Sequence, residues 1–312
     1  MFSNNKMESI DIFKFNLESK IKPFDLDEKY DIDKLDAILD NWDALKDKVG
    51  LAKLNGKVLN SEGTYTLFKN MSIVYKNQDN GDKTKKHYNF SKGCSSGRMF
   101  RPYSLQGCKK TVRHTICKDF YIDIDIINAH PVFFKFLCNF LSINCDSMNY
   151  YVNNREDCIK ELLIIFPDKT RDNIKEKMLA IMNGSELGFF ASKPTPSWLC
   201  DYVEDMKKTL EKIAVSFPLI LEEITKKHKN NKFPNLYGKT VNKLLCHFEN
   251  TVLHCMKQFT ERKNKTMGTN CFDGILLYKT GFKSAKSVEK FMLNMEKDLI
   301  GLIYRLNFQL KI

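Results

Sequence analysis

The sequence predicts an α+β fold, on three observations. Apolar residues recur every three or four positions through 35–49 and through most of 131–230, the period of a helix. Two short β-branched runs, Phe120-Tyr-Ile-Asp-Ile-Asp-Ile-Ile127 and Cys271-Phe-Asp-Gly-Ile-Leu-Leu-Tyr278, read as strands far apart in the chain. Both runs carry acids, so the order helical arm, strand, helices, strand, helix suits a mixed fold with an acid-bearing sheet.

The 312 residues are enough for one large domain or two small ones. With 43% hydrophobic and 28% charged residues the chain is globular in type, which excludes a disordered or fibrous default. Fifty Lys and Arg against 38 Asp and Glu give a formal charge of +12, which points to a polyanionic partner. Nucleic acid is favoured over membrane, because no apolar run approaches the roughly 18 residues that span a bilayer. The start, Met1-Phe-Ser-Asn-Asn-Lys, lacks the apolar core of a signal peptide, so an intracellular chain that is not secreted is expected. Ten cysteines with no Cys-x-x-Cys pair agree with reduced, mostly buried thiols. His247 and His254 lie two helical turns apart, about 10 Å, too far to share one tetrahedral zinc with Cys246 and Cys255.

The elements follow in order. Residues 1–60 read as polar and helical, with Leu35, Ile38, Leu39, Trp42, Leu45 and Val49 on one face and Gly50 as the stop. The stretches Gly63-Thr-Tyr-Thr-Leu-Phe68 and Met71-Ser-Ile-Val-Tyr75 show β-branched and aromatic alternation and are expected as strands, with 77–82 as a turn. Residues 92–118 form the most cationic irregular stretch. Helices follow to about 230, interrupted at Pro194-Thr-Pro196-Ser, then a long helix over 240–260 and a last one over 284–303.

In the strand around Asp123 and Asp125 the side chains alternate, so both acids project from one sheet face while Ile122, Ile124 and Ile126 pack beneath. Asp273 precedes Gly274, as in a tight hairpin that presents an acid. Carboxylates held a few ångströms apart on rigid strands are what two divalent ions need for phosphate chemistry. A pair of solvated acids on an edge strand is the plain alternative. The seven arginines among 43 lysines are informative by position: Arg98, Arg101 and Arg113 precede the acidic strand, and Arg171 opens a helical stripe with Lys175, Leu179 and Asn183 at four-residue spacing. Two cations, an apolar plate and a polar tip on one face suit a triphosphate and a base.

Together these segments resemble the polymerase core of family A DNA polymerases, in the family's order. Ser96-Gly97-Arg98, then Ser104-Leu105-Gln106 and Arg113, are similar to its Thr-Gly-Arg, Leu-Gln and arginine series. Asp125-Ile-Ile-Asn-Ala-His130-Pro131 stands at motif A and is also similar to the Asp-x-x-Ser-Leu-Tyr-Pro of family B. Arg171-x3-Lys175-x7-Asn183-Gly184 has the spacing of the fingers helix, and Phe272-Asp273-Gly274 stands at motif C. The likeness extends over roughly residues 95–280 and is greatest to the short polymerases of transposons and virophages, often fused to a superfamily 3 helicase. The chain departs from the family in having Asn183 for its tyrosine, Leu179 for its aromatic plate and Gly274 for its second acid.

The resemblance implies a right-hand polymerase with a small antiparallel palm sheet, helical fingers and a helical N-terminal arm or thumb. The arm or thumb is expected at 1–95, the palm at 96–130 and 240–312 with the C-terminal helix, and the fingers at 131–239. It implies catalysis by Asp125, Asp273 and Lys175, with two Mg²⁺ ions on Asp125, Asp273 and, in reserve, Asp123; Mn²⁺ would substitute. Arg171, Lys175, Leu179, Asn183 and His130 would bind nucleotide, and Arg98, Gln106 and Arg113 the primer–template. His130, five residues after Asp125, falls at the position that tells ribose from deoxyribose. The expected activity is templated synthesis by a DNA polymerase or primase-polymerase of a virus or mobile element, without a proofreading exonuclease. Expected partners are DNA template and primer, nucleoside triphosphates and a superfamily 3 helicase, fused or separate. The alternatives are a non-catalytic template-binding module of a helicase assembly and a DNA-dependent RNA polymerase.

Overall fold

The computed structural model describes residues 21–77, 83–91, 96–232, 234–302 and 310–311. The chain divides into two compact units, one containing residues 128–248 and the other built from the chain on either side, including 21–127 and 249–302.

Among the described residues, the second of these carries all the sheets. It begins with β1 (Phe24–Glu28), then α1 (Ile32–Asp40), whose N-cap Asp31 accepts a 3.0 Å bond from the Lys34 N–H. The helix expected across 35–49 is broken at Asn41, which ends α1 and begins α2 (Trp42–Val49); its amide donates back to the Ala37 carbonyl at 2.9 Å. Gly50 closes α2, as expected. Strands β2 (Lys53–Leu54) and β3 (Lys57–Val58) form a separate two-stranded ribbon.

The next element corrects the sequence reading. The two strands expected over 63–75 are one helix, α3 (Ser61–Lys76), capped by Asn60, whose side chain accepts from the Gly63 N–H. Thr64, Leu67, Phe68 and Met71 are its buried residues, and their spacing of three and four is helical. The β-branched alternation laid over them was coincidental. Of the turn expected at 77–82, residues 78–82 lie outside the described residues.

The expected helical arm is also interrupted by strands. β4 (Thr84–Phe90) pairs antiparallel with β1, Phe24 opposite Tyr88 and Glu28 opposite Thr84, and with β5 (Met99–Phe100). Charge hides β4 in the sequence. Its inward positions are Thr84, Lys86 and Tyr88, all fully buried. Lys86 donates to the Tyr103 carbonyl at 2.7 Å, and Glu28, also fully buried, accepts from the Tyr88 hydroxyl at 2.7 Å and the Leu105 N–H at 2.9 Å. Burial lowers the Lys86 ammonium to about 8, against the pull of Glu28. A buried Lys–Glu pair thus replaces the apolar alternation that marks a strand.

The cationic stretch 92–118 is not wholly irregular: it holds a turn of 3₁₀ helix at Leu105–Gly107 and α4 (Lys110–Cys117). The expected strand follows as β6 (Tyr121–Ile126). The helical unit then contains α5 (Ala129–Leu141), α6 (Asp146–Asn153), α7 (Arg155–Ile165), α8 (Arg171–Met182), α9 (Ser197–Val215) and α10 (Pro218–Lys227). Pro196 stands immediately before α9, as the expected break. Helix α11 (Leu236–Arg262) belongs to the helical unit up to Phe248 and to the sheet unit from Glu249. The expected strand over 271–278 is a hairpin, β7 (Met267–Cys271) and β8 (Gly274–Tyr278), and α12 (Ala285–Leu302) and β9 (Leu310–Lys311) follow. The main sheet is antiparallel with order β7-β8-β6-β9. No helix among the described residues is long and apolar enough to cross a membrane.

Candidate active site

Strand β6 carries out the alternation read from its sequence. Ile122, Ile124 and Ile126 are buried, while Asp123 and Asp125 keep 13% and 14% of their side chains open on the other face. The β6–β8 register sets Asp125 opposite Gly274, so Asp273, in the two-residue turn of the β7–β8 hairpin, lies beside it. The Ile126 N–H donates to the Asp273 carbonyl at 2.8 Å and fixes this juxtaposition. Gly274 is required here. A Cβ would stand 2.5 Å from both Asp125 Oδ1 and the Ile124 carbonyl oxygen, which explains why this position carries no second acid.

The two strand acids have different surroundings. Asp123 faces α4: His114 Nε2 donates to its Oδ2 at 2.7 Å, with Arg113 and Lys110 each 3.7 Å away. Three cationic or donor groups of the protein thus engage Asp123 Oδ2, while its buried Oδ1 has no hydrogen-bond partner. Among the described residues, Asp125 pairs with Lys110 at 3.3 Å and Lys311 of β9 at 3.8 Å, both exposed side chains. Asp273 is an exposed residue of the turn whose carboxyl is nevertheless surrounded by protein groups. Desolvation, then the neighbouring charges of Glu249 and Asp125, raise its carboxyl to about 6. An acid pressed in this way by a second carboxylate beside it belongs to a donor set that a divalent cation would relieve, and Asp125 with Asp273 therefore fits a metal.

Around them, Arg98 forms a two-pronged ion pair with the buried Glu249 of α11, its Nε and Nη2 each donating to one carboxylate oxygen. Its guanidinium also lies 5.1 Å from the centre of the Phe272 ring. Gln106 is buried, its amide donating to the Met99 carbonyl at 3.1 Å and accepting from the Arg101 N–H at 3.2 Å. Arg113 is 8% exposed beneath Asp123. Of the three residues expected on the primer–template, Gln106 and Arg113 are thus buried, and Arg98 is partly exposed. Arg98, Gln106, Asn250, Asn270 and Phe272 line one shallow cleft.

In the helical unit, α8 begins with a capping box between Thr170 and Asn173 and buries Ile174, Met178, Ile181 and Met182. Along the stripe at four-residue spacing Arg171 is exposed, while Lys175, Leu179 and Asn183 are half-buried. Arg171 is held by both oxygens of Glu156, at 2.6 and 2.8 Å, and Lys175 by Asp172 at 2.9 Å. Asn183 is the C-cap, its amide donating to the Leu179 carbonyl. His130 is half-buried in the first turn of α5.

Comparison with known proteins places the architecture. No family model matches the chain, and no curated protein matches it. Among solved structures, the POL domain of Pol1 from M. smegmatis, in complex with DNA primer-template and dNTP, is similar over 91% of this chain with a TM-score of 0.57 and 8% sequence identity. The likeness is one of fold. The chain spans 66% of the length of that polymerase chain.

Sequence reasoning missed four residues of the site: Glu249, Lys110, His114 and Lys311. Glu249 sits unremarked in a long amphipathic helix, and its only signal was an acid on that helix's buried face. Lys110 and His114, at i and i+4 on α4, were lost in a stretch read as irregular.

Proposed function

We propose that this chain is a template-directed nucleotidyltransferase, a DNA polymerase or primase-polymerase of the transposon and virophage type, acting without a proofreading exonuclease. The observation that carries the reading is the meeting of Asp125 on β6 and Asp273 in the β7–β8 turn of the same small antiparallel sheet, 148 positions apart in numbering. The fold likeness to a polymerase POL domain supports it. In this reading the sheet around β6 and β8 is the palm, with 96–130 and 240–312 contributing. Residues 131–239 are the fingers and 1–95 the arm or thumb.

Asp125 and Asp273 would hold two Mg²⁺ ions, with Mn²⁺ as a substitute, which would supply the Lewis acidity that activates a primer 3′-hydroxyl and neutralises a triphosphate. Lys110 and Lys311 balance Asp125 before a metal does. Lys175 and Arg171 would neutralise the nucleotide phosphates, Leu179 and Asn183 would face the base, and His130 would meet the sugar. Arg98 would hold Glu249 and the Phe272–Asp273 turn, while Gln106 and Arg113 brace the same site from beneath. DNA template and primer, nucleoside triphosphates and a superfamily 3 helicase, fused or separate, are the proposed partners, and a virus or mobile element the proposed source.

The test is incubation with a DNA template, with and without primer, in Mg²⁺ and either dNTPs or NTPs. Primer extension with dNTPs is expected. Template binding without synthesis in Mg²⁺ or Mn²⁺ would instead identify a non-catalytic module of a helicase assembly, and synthesis from NTPs alone a DNA-dependent RNA polymerase.

A further inference from the structure

The β2–β3 ribbon is the feature of the sheet unit to which the motifs assign nothing. Its two-residue turn, Asn55-Gly56, has both residues left-handed, with φ of 50° and 79°, the geometry that matches the twist of a tight hairpin. The ribbon is also seated at both ends. Gly107 lies against the Lys53 carbonyl where any side chain would collide, and a Cβ on Gly56 would stand 3.1 Å from the Phe100 ring. Leu54 and Leu59 pack on the unit's core. A ribbon held in this way is a rigid projection and not a loose loop.

Its seat leads directly to the acids. Phe100 meets the Phe272 ring edge-on, with centroids 6.3 Å apart, and Phe272 immediately precedes Asp273. The Lys53 ammonium lies 6.0 Å from the centre of the same ring. One aromatic side chain therefore separates the ribbon from the candidate metal site.

What the ribbon exposes fits a polyanion. Lys53 and Val58 pair across it and share its outward face, and Val58 is 61% exposed. Lys57 is exposed beside the turn. Whereas Lys46, Lys76 and Lys85 of the same unit pair with Asp43, Asp36 and Asp25, neither Lys53 nor Lys57 has a carboxylate partner among the described residues. Lys57, opposite Leu54, leaves the ribbon by its other face, so the projection carries an exposed apolar residue on one face and a cation without a carboxylate partner on each, a surface suited to the phosphates and sugar edges of a duplex backbone.

We propose that the β2–β3 ribbon is a docking surface for the primer–template duplex, with Lys53 and Lys57 on backbone phosphates and Val58 against the sugar edges beside Lys53. The inference rests on the polymerase reading. It is tested by the anisotropy of a labelled primer–template, and of its template strand alone, titrated with the full chain over a range of KCl. The variants are the double substitution Lys53→Ala with Lys57→Ala, the charge reversal Lys53→Glu with Lys57→Glu, and Val58→Ser; circular dichroism and thermal melting check their folding. The Lys53→Ala, Lys57→Ala protein should bind duplex at least fivefold more weakly, with a salt slope shallower by about 1.8, the value for two lost phosphate contacts. The charge reversal should weaken binding further. Val58→Ser should weaken binding with the slope unchanged. Wild-type binding with the lysine variants equal to it in affinity and slope overturns the ribbon assignment alone, as does an equal loss on the single strand. Failure of the wild type to bind primer–template overturns the polymerase reading and the ribbon with it.

Discussion

Arg98 grips both carboxylate oxygens of Glu249, and Glu249 is one of the two acids that press on Asp273. The arginine thus stands at the end of a line of charge that runs into the candidate metal site. Removing it by Arg98→Ala strips the fork from a carboxylate that is 1% exposed. The expected cost is roughly 2–4 kcal/mol in chemical denaturation, the range for a buried charged hydrogen bond that loses one partner. Arg98→Lys keeps the charge without the fork and should fall between the two.

Asp273 has a pH signature. Its folded pKa of about 6 lies above the ordinary 3.8, so between those values the folded state holds the proton more firmly than the unfolded chain. The stabilising contribution of this group is therefore complete below about pH 4 and is lost as pH rises through 6. In chelator, Asp273→Asn should melt higher than the wild type at pH 8, and the gap should close toward pH 4. Mg²⁺ should raise the melting temperature of the wild type at pH 8 and have much less effect on the variant. A gap that is constant across this range would remove Asp273 from the crowded acid pair.

Catalysis should depend on the acids unequally. Asp125→Asn or Asp273→Asn should abolish synthesis while DNA binding survives, because binding rests on cations elsewhere. Asp123→Asn should be milder, since His114, Arg113 and Lys110 already engage Asp123. More than a few per cent of wild-type primer extension in either of the first two variants would overturn the two-metal assignment.

Lys175 offers a clean substitution, because its partner Asp172 is 81% exposed and such a pair contributes about 0–1 kcal/mol to stability. Lys175→Ala should raise the nucleotide KM and slow incorporation, with DNA affinity unchanged. An equal loss of DNA affinity in a filter assay would mean that the α8 stripe faces nucleic acid.

His130 bears on the choice of sugar. Dependence on dNTPs is expected, and His130→Gly or His130→Ala should relax it at least tenfold, about 1.4 kcal/mol of discrimination. If His130 only supports the first turn of α5, both activities fall together and the dNTP-to-NTP ratio stays constant. The ratio in the folded variant is the deciding measurement.

The sequence by itself determined the elements whose period is clean: β6, with its acids alternating against buried isoleucines, the stripe of α8, and the hairpin acid ahead of Gly274. It failed where side chains serve a partner far along the chain. Strand β4 was hidden because Lys86 points inward to a site that also buries Glu28, and α3 was misread because its β-branched residues satisfy two periods at once. The different surroundings of the two strand acids come from folding, since α4 has to pack against β6 to bring His114 and Arg113 to Asp123. Folding alone sets Glu249 on Arg98, 151 residues away, and surrounds Asp273 with protein, so that desolvation first and then Glu249 and Asp125 raise its carboxyl. The physical reason is the same in each case. Local periodicity states which face of an element is apolar, but the charge state of a carboxylate depends on through-space neighbours that no local pattern encodes.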